Sequence, residues 1–371
     1  MSSPIPQVSL GGSASHIKIG QVGFGLMGMT WCDPSNTTPD EVAFETMKAS
    51  VDSGSNFWNT GAFYGPQSDP LANLKLIKRF FDANPSYKEK VVLSVKGGMD
   101  LENYAKVGAL APSAKIEVLE KDLNIIRQTL GTESGGKEID LYEMARVDRT
   151  IPIEEAMFNL LSLSSQTYKD PKTGEEKKGK GLFHHISLSE VGAQTIRKAA
   201  KVAPIAFVEI EYSPLERSAE ELGVVKACEE LGIVIAAYSP LGKGMFSGTL
   251  KSRSEIPQGD LRLRWDRFSE ENFEKNLSLP QALEQVCSKL ASDQTVTPSQ
   301  LTLAWLIQRS EKRIIVPIPG TSKPDRVREN ASSANVTLKE SEIQEIDRIL
   351  QNHKVHGDRY NQVIRQHGLW A

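Results

Sequence analysis

The stretch "TPDEVAFETMKASVDSGSNFWNTG" (residues 38–61) decides the fold. Its first part predicts an amphipathic helix, with Thr38 as the N-cap, Pro39 in the first turn and Gly54 at the end. Its second part, "SNFWNTG" (55–61), predicts a buried strand because it is short, apolar and bounded by turn residues. A helix that leads directly into a buried strand is typical of a parallel α/β sheet.

The same unit recurs along the whole chain. Eight apolar runs predict strands, and a segment with helical spacing lies between most of them. Eight such units predict a (β/α)8 TIM barrel, whose core usually takes about 250 residues. The eight runs are residues 19–25, 55–61, 91–98, 139–148, 184–190, 206–213, 233–242 and 313–320.

The length of 371 residues exceeds what a barrel core needs. We expect one domain over residues 1–371, with the barrel in about 17–350 and a C-terminal tail, 351–371, over the barrel mouth. Two further stretches are candidate loop insertions: the solvated run 169–181 and the long segment 246–280. No internal repeat and no domain linker is visible in the sequence.

Composition favours a cytoplasmic protein that acts on a small molecule. The hydrophobic content of 39% and the net charge of −3 fit a globular chain without the basic field of a nucleic-acid binder. No apolar run approaches a membrane span of roughly 18 residues, and the N-terminus does not resemble a secretory signal. Cys32, Cys228 and Cys287 fit neither a disulfide framework nor a zinc spacing, so we expect no metal. The sequence leaves the oligomeric state open.

The loops after barrel strands carry the chemistry of this fold, and Asn59, Tyr64 and Lys96 lie there. Burying a lysine is costly unless it is paired. A cation beside a phenol lowers its pKa, which would make Tyr64 a proton donor near neutral pH. Asn59 could accept a hydrogen bond from Lys96. A packing tyrosine and a lysine that reaches solvent are the alternatives, but their joint placement on successive strand ends favours catalysis.

These residues resemble the aldo-keto reductase family, closest to its fungal pyridoxal reductase branch. The resemblance runs from "KIGQVGFGLMGMTW" to "GDRYN" and covers most of the chain. Tyr64 and Lys96 match the family's tyrosine and lysine, whereas Asn59 replaces its aspartate and Ala145 its strand-four histidine. The branch carries similar replacements. The resemblance implies that Tyr64 protonates a carbonyl oxygen, that Lys96 tunes Tyr64 and that Asn59 positions Lys96.

The resemblance also implies that NADP(H) lies across the barrel mouth. Tyr238 matches the aromatic residue that stacks on the nicotinamide, and Ser189 matches a contact with its carboxamide. Glu190 and Glu209 stand where the family usually has an asparagine and a glutamine. The stretch that lines the pyrophosphate is matched by Ser239, Leu241 and Lys243.

The segment "IPGTSKPDRVREN" (318–330) predicts a phosphate site. Gly320 ends a strand and Pro324 opens a helix, so free backbone N–H groups and a positive helix end face the loop. This favours NADPH over NADH, and the alternative is an ordinary capped helix with a basic first turn. The 2′-phosphate would contact Ser322, Lys323 and Arg326, and the adenine would contact Glu329 and Asn330.

Aromatic residues near the predicted mouth suit a flat substrate ring such as a pyridine aldehyde. They are Trp31, Trp58 and Phe63, with Tyr360 or Trp370 from the tail. The alternative for Trp31 and Trp58 is a place in the core.

Arg146 follows the position of the missing histidine. It could orient the carbonyl, or hold a phenolic oxygen or a phosphate. The alternative is an ion pair with Asp148 or Glu143 inside the barrel.

The sequence therefore predicts NADPH-dependent reduction of an aldehyde, and the branch resemblance implies pyridoxal as the substrate. Two alternatives stay open: a reductase of another aromatic or secondary-metabolite aldehyde or ketone, and an NADP(H)-binding sensor subunit like the potassium-channel β subunits. A barrel enzyme acting on sugar phosphates would explain the phosphate site but not the pairing of Tyr64 with Lys96.

Overall fold

The computed structural model describes residues 4–32, 37–107, 111–171, 173–290, 296–310, 312 and 314–360. Within these ranges the strands are β1 Gln7–Ser9, β2 Lys18–Gly20, β3 Phe24–Gly25, β4 Phe57–Gly61, β5 Val92–Gly97, β6 Leu141–Met144, β7 Thr167–Lys169, β8 Glu176–Lys178, β9 His185–Ser189, β10 Ile205–Glu211, β11 Val234–Tyr238 and β12 Ile315–Pro317.

Eight of these strands form one parallel sheet in the order β3-β4-β5-β6-β9-β10-β11-β12. A further parallel bridge joins Gly25 of β3 to Gly320 beyond β12, so the sheet is nearly closed. The predicted (β/α)8 barrel is confirmed.

Helices surround the sheet on its outer side. The predicted helix in residues 38–54 is observed as Asp40–Asp52, with Pro39 rather than Thr38 at the N-cap position because Pro39 is still extended. No helix in the described ranges combines the length and apolar character that crossing a bilayer requires. The helices are α1 Asp40–Asp52, α2 Ala72–Ala83, α3 Leu101–Val107, α4 Ile116–Leu130, α5 Ile153–Leu163, α6 Ala193–Ala199, α7 Ser218–Glu221, α8 Val224–Leu231, α9 Glu270–Leu290, α10 Pro298–Ile307, α11 Pro324–Ser332 and α12 Glu340–Asn352.

The first predicted strand, residues 19–25, divides between two sheets. Its beginning is β2, which pairs antiparallel with β1, and only its end, β3, joins the barrel. Gly20, at the end of β2, packs directly on the backbone, since an added Cβ there would lie 2.1 Å from the carbonyl oxygen of Gly54. The hairpin packs against the barrel interior through Ile19.

The two predicted insertions also contain regular structure. The solvated run 169–181 includes β8, which pairs with β7 in an exposed hairpin. Segment 246–280 forms short 3-10 turns and then the first half of α9, whose helical pattern contains Pro280.

The barrel interior changes character along the strands. Successive side chains of a strand point to opposite faces, so every second residue faces inward. At the N-terminal ends these residues are apolar and pack on the hairpin; examples are Phe57, Leu141, Phe207 and Val234. Two residues further along β4, β6 and β10, the inward-facing residues are Asn59, Glu143 and Glu209. The fold thus places polar groups in the middle of a packed barrel, close to its mouth.

Candidate active site

The predicted pair Asn59 and Lys96 lies in a buried cluster with two carboxyl groups. Lys96 Nζ donates to Glu209 Oε2 at 2.5 Å and to Asn59 Oδ1 at 2.7 Å. Asn59 Nδ2 donates to Glu209 Oε2 at 2.6 Å and to Glu143 Oε2 at 3.0 Å. Glu143 Oε1 lies 3.5 Å from Lys96 Nζ. All four side chains are buried, so their charges are balanced by one another and not by water.

Tyr64 lies against Lys96, as the sequence predicts. Lys96 Nζ is 5.4 Å from the centroid of the Tyr64 ring. β4 ends at Gly61, where an added Cβ would lie 3.0 Å from the tyrosine ring. Thr30 Oγ1 also donates to the Tyr64 carbonyl at 2.6 Å. A glycine at the end of the strand therefore lets Tyr64 fold back over the cluster.

Burial dominates the titration of these groups. It raises the pKa of Tyr64 to about 12, although the Lys96 cation acts in the opposite direction. The expected net lowering of this pKa is wrong, because desolvation and two neighbouring carboxyl groups outweigh the lysine. At neutral pH Tyr64 is thus protonated, which is the form that donates a proton.

The two charged partners hold their protons for different reasons. Burial lowers the pKa of Lys96, but Glu143 and Glu209 outweigh it and raise that pKa, so Lys96 remains an ammonium. Burial and the neighbouring Glu209 carboxylate raise the pKa of Glu143 well above its usual range. Glu143 therefore binds a proton more readily than an ordinary carboxyl group, and when it is ionised its charge adds to that of Glu209 beside Lys96.

A second charged cluster lies at the C-terminal ends of β9–β11, where the resemblance places the nicotinamide. Arg359 Nη2 donates to Glu190 Oε1 at 2.6 Å and to Tyr238 Oη at 2.7 Å. Arg359 Nε donates to Glu211 Oε2 at 2.6 Å, and Lys243 pairs with the other oxygen of Glu211. Burial raises the pKa of Glu211, but these two cations outweigh it and hold the pKa at about 2.

The arginine of this second cluster belongs to the predicted C-terminal tail, whose described part ends at Tyr360 and reaches the mouth. Tyr360 Oη lies 2.7 Å from Tyr238 Oη, and the Tyr360 ring centroid lies 5.6 Å from Lys243 Nζ. The segment is also held from outside the barrel, since Asn276 Nδ2 donates to the His356 carbonyl at 2.9 Å. Trp370, the other tail residue named for the substrate, lies outside the described residues.

Two of the three predicted aromatic wall residues lie beside Tyr64. Trp31 stacks on the Tyr64 ring at 5.4 Å between centroids, and Phe63 contacts it edge-on at 5.3 Å. Trp58 points to the opposite side of β4, toward the helices, where its Nε1 donates to Ser50 Oγ at 2.8 Å. The structure places Trp58 in the core because it alternates along β4 with inward-facing neighbours.

Arg146 lies next to the second cluster. Its Nη1 donates to the carbonyl of Ala145 at 2.5 Å. Burial lowers its pKa, but the nearby Glu190 carboxylate outweighs this effect and raises it. The two acids considered as partners from the sequence are engaged elsewhere: Asp148 Oδ2 accepts from the Ala114 amide at 2.9 Å, and Glu143 is in the first cluster.

Two buried polar atoms fit a nicotinamide carboxamide. Ser189 Oγ and Glu190 Oε2 have no hydrogen-bond partner within the described part of the chain. A hydroxyl can donate to the carboxamide oxygen and a carboxylate can accept from its NH2 group, so this donor set suits the ligand. Glu209, which stands where the family usually has a glutamine, differs from these two residues because its Oε2 already accepts a hydrogen bond from Lys96 Nζ.

The segment predicted to hold phosphate has the expected local structure. α11 begins at Pro324, directly after the exposed Lys323. Arg326 Nη2 lies 3.4 Å from Thr249 Oγ1, and Glu329 Oε1 accepts from Thr297 Oγ1 at 2.6 Å. The remaining predicted cofactor residues lie in this segment or directly after β11; they are Gly320, Ser322, Asn330, Ser239 and Leu241.

Comparison with known proteins identifies the family. The model of the aldo/keto reductase family matches residues 21–351. The chain belongs to the aldo-keto reductase family. The resemblance recognised from the sequence is confirmed, and the protein is an oxidoreductase by family.

Two curated fungal relatives of this aldo-keto reductase are similar over nearly their whole length. The chain is 34% identical to "Probable pyridoxal reductase 2" of Schizosaccharomyces pombe, over 94% of the chain and 96% of that protein. It is 31% identical to "Putative pyridoxal reductase" of Saccharomyces cerevisiae, over 91% of the chain and 95% of the relative. The solved structure of a glycerol dehydrogenase from Gluconobacter oxydans superposes with a TM-score of 0.73 at 19% identity, over 94% of the chain and 97% of that structure, which supports the fold alone.

Sequence reasoning did not assign three residues to this aldo-keto reductase site, and it named Glu143 only as a possible partner of Arg146. Glu143 and Glu211 could have been found from alternation, since they lie two positions from Ala145 and Glu209 on strands whose alternate residues face inward. Arg359 lies in the tail, where no periodic pattern marks which side chains return to the barrel.

Proposed function

We propose that this protein reduces an aldehyde to a primary alcohol with NADPH, and that the aldehyde is pyridoxal, which becomes pyridoxine. The observation that carries the proposal is the buried Tyr64 side chain, whose ring centroid lies 5.4 Å from the buried Lys96 Nζ at the barrel mouth. NADPH supplies the hydride for the carbonyl carbon when it is bound. Tyr64 gives its hydroxyl proton to the carbonyl oxygen, which completes the alcohol.

Lys96 stabilises the charge that develops on Tyr64. As the proton leaves, the phenol oxygen becomes negative in a site where solvent is excluded. A neighbouring ammonium that is already held beside the tyrosine ring needs no reorganisation at that moment, which is the condition for strong electrostatic stabilisation. The strand-four histidine of other family members is therefore not required for proton donation.

The proposed NADPH site combines residues at or directly after the ends of β9 and β11 with residues at the start of α11. Ser189 and Glu190 would hold the carboxamide, and Tyr238 would stack on the ring. Lys323 and Arg326 would hold the 2′-phosphate at the start of α11. A Schizosaccharomyces pombe relative, 35% identical over 91% of the chain and 91% of its own length, is named aldo-keto reductase yakc, and its name includes NADP(+).

Pyridoxal is supported by the names of the two fungal relatives and by the aromatic contacts. Trp31 and Phe63 lie against Tyr64, so a planar ring whose carbonyl reaches Tyr64 would meet flat side chains. Arg146 would hold the phenolic oxygen of the substrate. We further propose that the protein acts in the cytoplasm; its three cysteines, all in the described part of the chain, form no disulfide with one another.

The test is NADPH oxidation, followed by absorbance, with pyridoxal, pyridoxal phosphate and a panel of aromatic aldehydes. Tyr64→Phe should lower kcat by roughly 10³-fold and leave NADPH binding, measured by fluorescence, unchanged. Tyr142→Phe is the matched control, because Tyr142 is equally buried but packs on Phe183 outside the barrel interior. It should keep nearly full activity.

Each other outcome corrects a defined part of the proposal. Full activity of Tyr64→Phe would show that another group donates the proton. Turnover of other aldehydes but not pyridoxal would keep the reaction and remove the substrate. Tight NADPH binding without turnover of any aldehyde would favour a sensor subunit.

A further inference from the structure

Lys96 has a carboxylate partner that the family pattern does not place there. The residue at position 59 is an amide, so it cannot neutralise the lysine. We propose that Glu209 is the residue that positions Lys96 against Tyr64, and that the negative charge usually found on the second barrel strand has moved across the barrel to Glu209. The proposal rests on the proposed function, because it gives Lys96 a role through Tyr64.

The contacts of Asn59 show why this position holds an amide. Its Oδ1 accepts from Lys96 at 2.7 Å, while its Nδ2 donates to Glu209 at 2.6 Å and to Glu143 at 3.0 Å. An aspartate could make the first contact only. It would place a third carboxyl group within hydrogen-bond distance of two others, with too few donors among them.

The contacts of Glu209 show the converse. Its Oε2 accepts from both Lys96 and Asn59, and its carboxylate is the anion nearest to Lys96 among the described residues. A glutamine at 209 would leave the ammonium with Glu143, whose nearer oxygen is 3.5 Å from Nζ. A buried cation that loses its close anion is strongly destabilised. The amide at 59 and the carboxylate at 209 therefore require each other.

Glu143 completes the arrangement from the neighbouring strand. It is fully buried, and it faces Lys96 directly across the β5–β6 pairing. Two carboxyl groups that share one donor amide and one ammonium are best satisfied when one of them carries a proton. The cluster then has one cation, one anion and one neutral acid, which makes it electrically neutral beside Tyr64.

The test exchanges the amide at position 59 and the carboxylate at position 209. Asn59→Asp and Glu209→Gln should each lower kcat by roughly 10²-fold and the melting temperature by roughly 5 °C. The double variant should recover kcat to within about threefold of wild type, together with the melting temperature. The reason is that the introduced carboxylate accepts from Lys96, and the introduced amide donates to that carboxylate.

The pH profile adds a readout that a purely structural role would not move. The Glu209 carboxylate opposes ionisation of the nearby Tyr64, so Glu209→Gln should shift the alkaline limb of kcat to lower pH. The double variant should restore its position. Asn73→Asp is the matched control, since Asn73 is a buried amide that donates to the Leu26 carbonyl and to Thr30 Oγ1 and, among the residues that the structure describes, forms no hydrogen bond with Lys96 or Glu209. Glu209→Gln should not rescue it.

A double variant that is no better than the product of its single variants would overturn the proposal, and so would equal rescue of Asn73→Asp. If no protein, wild type included, turns over any aldehyde while the melting temperature is still rescued, the proposed reductase function fails and the positioning of Lys96 by Glu209 stands. Rescue of both kcat and melting temperature supports both.

Discussion

Replacing Arg359 with methionine should release the end of the described tail from the barrel mouth. Arg359 is 9% exposed and joins Glu190, which is fully buried, to Glu211. Methionine keeps an apolar stem but removes the cation. Removing one partner of a buried ion pair costs about 3–5 kcal/mol. Because Glu211 keeps its pair with Lys243, we expect the lower value, about 3 kcal/mol.

We expect this loss to lower the free energy of local opening of the tail while the barrel stays folded. The contacts that tie the tail to the rest of the chain include the amide of His356 on Asn276 Oδ1 at 2.8 Å and the amide of Asp358 on Asp266 Oδ2 at 2.7 Å. A loss of about 3 kcal/mol raises the open population by roughly 10²-fold. Hydrogen exchange should therefore show protection of these two amides falling by about 10²-fold, with the barrel strands unchanged.

A matched arginine separates this effect from the general loss of an ion pair. Arg309 also bridges two carboxylates on different elements, Glu220 and Asp347, but lies away from the barrel mouth. Arg309→Met should leave exchange at the tail amides unaltered. The reasoning is refuted if Arg359→Met changes tail protection by less than threefold, or if Arg309→Met lowers it equally.

Two other predictions concern charge. Lys323→Ala combined with Arg326→Ala should raise KM for NADPH by roughly 10²-fold and that for NADH by less than threefold, since charge-assisted bonds to a 2′-phosphate are worth about 1.5–3 kcal/mol each. An unchanged ratio of the two KM values would contradict the proposed 2′-phosphate site. An equal effect of Arg328→Ala, on the same helix, would also contradict it. The ion pairs of Glu211 should stabilise the fold above its ordinary pKa of about 4.3 and lose that effect as pH falls toward 2, because its folded pKa is about 2. Urea denaturation should thus show the deficit of Glu211→Gln shrinking from pH 5 to pH 3, and a constant deficit would contradict the assignment.

Periodicity predicts the barrel well because each element repeats one physical requirement. Every barrel strand is buried on both faces and every helix on one, so apolar runs alternate with helical stripes along the chain. The run 19–25 shows the limit of this argument. Apolar residues favour burial, but they do not determine in which sheet, and the start of this run pairs with β1 in the hairpin and not with the barrel strands.

The site was predictable where position alone determines it. Tyr64 and Lys96 lie at successive strand ends, so the fold brings them together. The net pKa of Tyr64 was not predictable, since it depends on how completely the phenol is buried. The assignment of Trp58 to the mouth is wrong for a local reason. Asn59 points into the barrel, so its neighbour Trp58 points to the outer side of β4. The contacts of Asn59 in the structure reveal this orientation, whereas the sequence around it does not.

The two charged clusters differ in what completes them. The cluster around Lys96 is built from residues on the strands β4, β5, β6 and β10, so it forms whenever the barrel forms. The cluster around Glu190 and Glu211 takes one of its cations, Arg359, from a segment that follows the last described helix. The proposed proton donation by Tyr64 therefore needs the barrel alone, whereas the charge balance around Tyr238 depends on the tail being in place. A change in the tail should consequently disturb the contacts around Tyr238 and leave the pairing of Lys96 with Glu209 intact.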